Sequence, residues 1–184
     1  MNKITLLICF GLLYSLTYSQ SIYKGLKKGM TKDQAKQEYR SNKSQYKKID
    51  LGNGFLYRTY RRNFEYDGGE LVGVLLTPKG SAFGQSYSSA KNHLIHTRNF
   101  FENLGYETFI DNKWWNAPHN YVRSDSKYGL VLRHKEKDKI IQMYPIELQS
   151  NYLVKLMVWH YDTWMGYYNK NNKVNKEKVK DSGF

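Results

Sequence analysis

Cysteine and acidic residues are scarce in this chain of 184 residues. Its one cysteine, Cys9, lies in an apolar stretch near the N-terminus, so no disulfide can close within the chain and no thiolate cluster can hold a metal. Asp and Glu number 16 against 29 Lys and Arg, which leaves a formal charge of +13. A protein this basic is drawn to anionic surfaces, among them acidic proteins, polyanionic glycans, lipid headgroups and nucleic acid. The charge alone does not choose among these partners.

Long apolar runs are also missing. The most apolar stretch, residues 4–13, is too short to span a bilayer comfortably. It follows Lys3 and precedes Thr17 and Ser19, two small residues on the N-terminal side of a cut before Gln20, as is typical of a secretory signal peptide. The sequence therefore predicts a signal peptide over residues 1–19. We expect an exported protein, periplasmic or secreted, with no integral membrane span after cleavage.

Catalytic fingerprints are absent as well, since the chain has no nucleophile elbow, P-loop or dinucleotide-binding motif. The histidines are the remaining candidates. His93 and His96 are spaced to share a helix face, and a third ligand from His134, His160 or Asp162 would complete a metal site. His160 and Asp162 could also form an acid–base pair with His134. We favour structural roles for all of them, and predict no catalytic residue, no metal and no cofactor.

Two helices are indicated by their start signals and spacing. Thr31 and Gln34 form a capping-box pattern that predicts a helix over residues 32–41. A second helix should end near residue 104, before Gly105, because its apolar positions recur at helical spacing through Ala90, Leu94, Thr97, Phe101 and Leu104.

Strand-like segments follow each helix. In the first half they cover residues 45–50, 55–64 and 70–77, the last after the hairpin signal Asp67-Gly68-Gly69. In the second half they cover residues 106–110, 128–134, 139–146 and 151–163. This order predicts an α+β fold with two helices packed on an antiparallel sheet, in the form of a degenerate tandem of helix-then-sheet units. The predicted domain spans residues 20–168, with halves at 20–86 and 87–168, and a flexible basic tail over residues 169–184.

A family resemblance rests on the first helix start, where Lys28 to Ala35 read Lys-Gly-Met-Thr-Lys-Asp-Gln-Ala. This stretch resembles the opening of small exported α+β modules of the BamE (SmpA/OmlA) and β-lactamase inhibitor protein type. There, a Gly-Met-Thr turn starts a helix that lies on an antiparallel sheet. The second half departs from that pattern, with Ser88-Ser89-Ala90 in its place. The resemblance implies a protein-binding or scaffolding role without catalysis and without a cofactor.

Two segments have the composition of binding surfaces. Trp114 and Trp115 stand in a long loop with His119 and Tyr121, where they either form a recognition surface or plug the end of the core. Strand alternation places three other residues on one face, where arginine forks and a tyrosine ring suit phosphate, carboxylate or stacked bases. The alternative for this second set is a solvated outer face of the sheet. Its members are Arg58, Tyr60 and Arg62.

The function predicted from the sequence is binding. We expect a non-enzymatic module of the cell envelope or secreted space whose partner is another envelope or extracellular protein. One alternative is an exported hydrolase or metal-dependent enzyme built on the histidines. Another is a basic protein that binds anionic glycan, lipid or nucleic acid through its charge.

Overall fold

The computed structural model describes residues 21–52, 54–80, 84–111, 129–148 and 151–170. Its helices are α1 (Lys32–Ser41), α2 (Lys43–Lys47), α3 (Tyr87–Glu102) and α4 (residues 161–170), with a short 3-10 turn at Arg61–Asn63. Its strands are β1 (Ser21–Tyr23), β2 (Leu26–Lys27), β3 (Ile49–Asp50), β4 (Leu56–Arg58), β5 (Phe64–Asp67), β6 (Glu70–Lys79), β7 (Tyr106–Asp111), β8 (Leu130–His134), β9 (Lys139–Leu148) and β10 (Asn151–His160).

Within the described residues, one sheet contains eight of these strands, in the order β3-β4-β6-β10-β9-β8-β7, with β5 also paired to β6. All pairings are antiparallel, which confirms the predicted α+β class. In each half the first helix is followed by a set of strands, the last of which lies at the centre of the sheet. The last strands of the two halves, β6 and β10, pair there through Val74 opposite Val158 and Leu76 opposite Leu156. A duplication of the two halves stays a prediction.

The main core lies between one face of the sheet and the first three helices. Ala35 and Tyr39 of α1 join Leu94 of α3 in a buried cluster with β6, β8, β9 and β10. In β10 the side chains of Val154 and Leu156 alternate onto this face, as the period of a strand requires. The predicted capping box of α1 is confirmed, because Thr31 and Gln34 satisfy each other's backbone N–H groups.

The opposite face of the sheet is covered in part by α4. Trp164 packs there against Val131 and Ile140, and its ring stacks on Tyr168 at 5.0 Å between centroids. The sequence prediction of a strand through residue 163 is therefore wrong beyond His160. Among the described residues, no helix is both long enough and apolar enough to cross a bilayer.

Two further strand predictions are wrong in part. Residues 45–47 belong to α2 rather than to the predicted strand, because Tyr46 is buried against Tyr39 of α1. The strand predicted over residues 55–64 is interrupted after Arg58. Thr59 turns away there, donating its N–H to Tyr46 O at 2.8 Å and its hydroxyl to Leu75 O at 2.8 Å.

Gly73 of β6 provides a test of how the second face is packed. A Cβ built on Gly73 would lie 2.7 Å from Met157 Cε and 2.8 Å from Trp159 Cε3. The φ angle of Gly73 lies outside the left-handed region. We expect Gly73→Ala to lower the free energy of unfolding by about 1–3 kcal/mol through overpacking. Urea unfolding followed by circular dichroism measures this change.

Gly166 of α4 is the matched control, since a Cβ there meets nothing within 4 Å. Gly166→Ala should raise the free energy of unfolding by about 0.5–1 kcal/mol, because alanine favours the helix over glycine. Equal effects of the two substitutions would contradict the packing of Trp159 over Gly73.

Candidate functional site

A continuous row of basic residues runs along the two helices of the first half. Lys32, Lys36 and Arg40 follow one another at intervals of four residues on α1, so they share one helix face. Lys43 and Lys47 repeat that spacing on α2. This four-residue interval is visible in the sequence, although the residues predicted to bind do not include these cations.

A second wall faces this row and is supplied by the chain after β4. The departure of Thr59 from the sheet brings Tyr60 into an extended conformation, and the 3-10 turn that follows exposes Arg61 and Arg62. Tyr66 of β5 adds a half-buried ring. Since Thr59 is tied to Tyr46 of α2 by its N–H, the second wall is fixed relative to the helices.

Together the two walls enclose a groove of about 910 Å³, which we call the basic groove. Seven of its ten described lining residues are cationic, three are tyrosines, and none of the ten is acidic. Such a surface concentrates positive potential in a concave space and raises the local concentration of anions. Its residues are Lys32, Lys36, Tyr39, Arg40, Lys43, Lys47, Tyr60, Arg61, Arg62 and Tyr66.

The tyrosine rings of the groove are held by contacts within the protein. Tyr39 is 5% exposed, stacks on Tyr46 at 5.5 Å between centroids, and meets Phe64 edge-on at 5.9 Å. Burial raises the pKa of Tyr39, with a smaller contribution from neighbouring Tyr60. The ring therefore forms part of the floor of the groove and stays neutral at physiological pH.

Three of the residues predicted to bind lie together in the structure. The guanidinium carbons of Arg58 and Arg62 are 5.2 and 5.5 Å from the centroid of the Tyr60 ring, within the range of cation–π attraction. These contacts form although the strand ends at Arg58 and both Tyr60 and Arg62 lie beyond it. Tyr60 and Arg62 line the basic groove, whereas Arg58 is not one of its lining residues. Their role in binding stays a prediction.

One carboxylate, that of Asp33, pairs with a cation of the basic groove. Asp33 Oδ1 lies 2.9 Å from Lys36 Nζ, and the side chain of Asp33 is 91% exposed. The hydrogen bond and charge of Lys36 hold the pKa of Asp33 below its usual value, and the charges of Lys32 and Arg40 act in the same direction. An anionic group is therefore stabilised at the edge of this surface.

The other predicted binding segment lies outside the described residues. Trp114, Trp115, His119 and Tyr121 belong to the range 112–128, for which the structure gives no account. The two interpretations of this loop, recognition surface or core plug, stay predictions.

His93 is fully buried in the core. Its Nε2 lies 2.9 Å from the hydroxyl of Tyr57, which donates to Val154 O at 3.0 Å, and its Nδ1 lies 3.2 Å from Gln85 Oε1. The ring of Phe55 stacks on it at 3.9 Å. Both ring nitrogens are thus occupied by neighbours within the fold, which gives His93 a structural role.

The other histidines considered as site residues include His134 and His160, which contact residues close to them in the sequence. His134 Nδ1 accepts the backbone N–H groups of Glu136 and Lys137 at 3.0 and 3.1 Å, which shapes the turn between β8 and β9. His160 Nδ1 lies 3.8 Å from Asp162 Oδ2, longer than a hydrogen bond. Among the described residues, no group of three or more His, Cys, Asp or Glu side chains could hold a metal ion.

The burial of His93 predicts a pH dependence of stability. Burial, with a smaller contribution from the charge of His96, lowers the pKa of His93 from 6.5 to about 4. The folded state therefore favours the neutral ring. The contribution of the neutral ring to the free energy of unfolding is complete above about pH 6.5 and declines as the pH falls toward 4. At one pKa unit per 1.36 kcal/mol, we expect a loss of about 3 kcal/mol across that window. Urea unfolding at both ends of the window measures it.

His93→Gln is the informative variant, because glutamine does not titrate and can still hydrogen-bond to Tyr57. The drop in unfolding free energy on acidification should be smaller in this variant than in the wild type by most of that amount. His134, whose pKa is also lowered by burial, contributes equally to both proteins and cancels. Identical drops in the two proteins would rule out His93 as the source.

Comparisons with known proteins identify no relative of this chain. The chain was compared with protein-family models, with curated proteins and with solved structures, and no match was found in any of them. The resemblance of residues 28–35 to exported modules therefore stays a prediction.

Proposed function

We propose that this protein is an exported, non-enzymatic binding module whose basic groove captures an anionic partner. The single observation that supports this is the composition of the groove, where seven cationic side chains line one concavity and none of the described lining residues is acidic. The signal-peptide pattern of residues 1–19 supports a partner in the envelope or outside the cell.

The arrangement of the cations favours a ligand with several charges. The basic row on α1 extends from Lys32 to Arg40, or about 12 Å at the rise of an α-helix. Arg61 and Arg62 face it from the other wall, where guanidinium groups can form paired hydrogen bonds with carboxylate or phosphate. A single small anion would meet only part of this surface, whereas a polymer would meet most of it.

Removal of two groove cations should weaken capture. We expect Lys36→Gln combined with Arg40→Gln to reduce the affinity for polyglutamate about tenfold, since each exposed charge pair is worth up to about 1 kcal/mol. Fluorescence anisotropy at low ionic strength measures the change, and the melting temperature verifies the fold.

The matched control removes the same charge elsewhere. Lys135 and Lys137 are exposed in the turn between β8 and β9, so Lys135→Gln with Lys137→Gln changes the net charge equally. Its effect should be under about twofold, because screened charges outside the site act only weakly. Equal losses in the two double variants would show that overall charge, and not the groove, determines binding.

Substitution of Asp33 should change the affinity for polyglutamate in the opposite direction. Because its carboxylate competes with the ligand for Lys36, Asp33→Asn should raise the affinity for polyglutamate by about two- to fivefold. The same anisotropy titration applies. An unchanged or lower affinity in a variant that melts like the wild type would contradict the assignment of Lys36 to the binding surface.

A further inference from the structure

The ligand class can be narrowed by the geometry of the basic groove, an inference that rests on the proposed function. We propose that the groove takes an extended acidic segment of a partner protein, with Asp or Glu at alternate positions. Nucleic acid and anionic glycan are then the alternatives that the experiment must reject.

The aromatic rings of the groove favour a charged polypeptide over nucleic acid. Single-stranded nucleic acid is bound by stacking of bases on exposed aromatic faces as well as by charge. In this groove the Tyr39 ring is stacked on Tyr46, and the Tyr60 ring lies under the guanidinium groups of Arg58 and Arg62. Tyr66 packs against the main core. Because these rings are engaged with other side chains, the groove recognises charged groups rather than bases.

The spacing of the cations on α1 also favours an extended polypeptide. Lys32, Lys36 and Arg40 advance by about 6 Å per step, the rise of four residues in an α-helix. Alternate residues of an extended polypeptide advance by about 6.6 Å on one side of the strand. Three carboxylates at alternate positions therefore match three consecutive cations of α1 along the groove.

A carboxylate of the protein itself already pairs with one of these cations. Asp33 and Lys36 form an ion pair of 2.9 Å at the edge of the groove, with the lysine stem partly buried. A carboxylate of a partner that approached Lys32 or Arg40 would repeat this geometry one helical turn away. Arg61 and Arg62 on the facing wall would then pair with the carboxylates or backbone carbonyls on the other side of the segment.

The test compares four fluorescent probes of matched charge on the purified protein. In the first peptide Glu alternates with Ser, and in the second the same residues are sorted so that the Glu residues are contiguous. The third probe is an oligothymidylate, and the fourth is a sulfated glycan fragment. We expect the alternating peptide to bind about threefold or more tighter than the sorted peptide. This preference should disappear in the Lys36→Gln, Arg40→Gln protein.

Several outcomes would overturn the inference. Equal binding of the two peptides would reject the spacing argument. Tighter binding of oligothymidylate, lost on Tyr60→Leu, would identify a nucleic-acid site, and stronger binding of a sulfated glycan fragment of equal charge would identify a glycan site. In each of these cases the proposed function still holds if Lys36→Gln with Arg40→Gln weakens binding of the tightest probe. If Lys36→Gln with Arg40→Gln leaves the affinity for all these probes unchanged, the proposed function fails as well.

Discussion

The pairing of β6 with β10 is the interaction on which the rest of this fold depends. It joins the last strands of the two halves at the centre of the sheet, with Val74 opposite Val158 and Leu76 opposite Leu156. These apolar pairs extend the buried face across both halves, so α1 and α3 pack on one continuous core instead of two small ones. The described part of the chain contains no cysteine, and its cohesion therefore comes from this packing.

The position of the charges follows from the same packing. Because α1 buries Ala35 and Tyr39, its basic residues are left on the surface beside the sheet. The hydrogen bond from Thr59 N–H to Tyr46 O then turns the chain so that a second set of cations meets the first. Like charges at this density oppose folding, and the binding of an anionic partner would relieve their repulsion. The face of α1 that packs on the core and the basic face that lines the groove are thus two sides of one helix.

Much of the fold was predictable from local signals, and the errors occurred where tertiary contacts decide. The capping box of Thr31 and Gln34 and the apolar stripe of α3 identified both long helices, because these patterns act within one element. The strand predicted over residues 151–163 extends into the first residues of α4, although Trp164 and Tyr168 lie four apart as on a helix. The row of groove cations could have been recognised from its spacing. The facing wall could not, since a contact between Thr59 and Tyr46 creates it.

The central claim is that charge in the basic groove, and not another basic or aromatic segment, receives the partner. Backbone amide NMR of the isotope-labelled protein during titration with polyglutamate tests this most directly. We expect the chemical-shift changes to concentrate in residues 32–47 and 60–66, which line the two walls. Changes concentrated instead in residues 114–121 or 171–184, with the groove amides unmoved, would contradict the account.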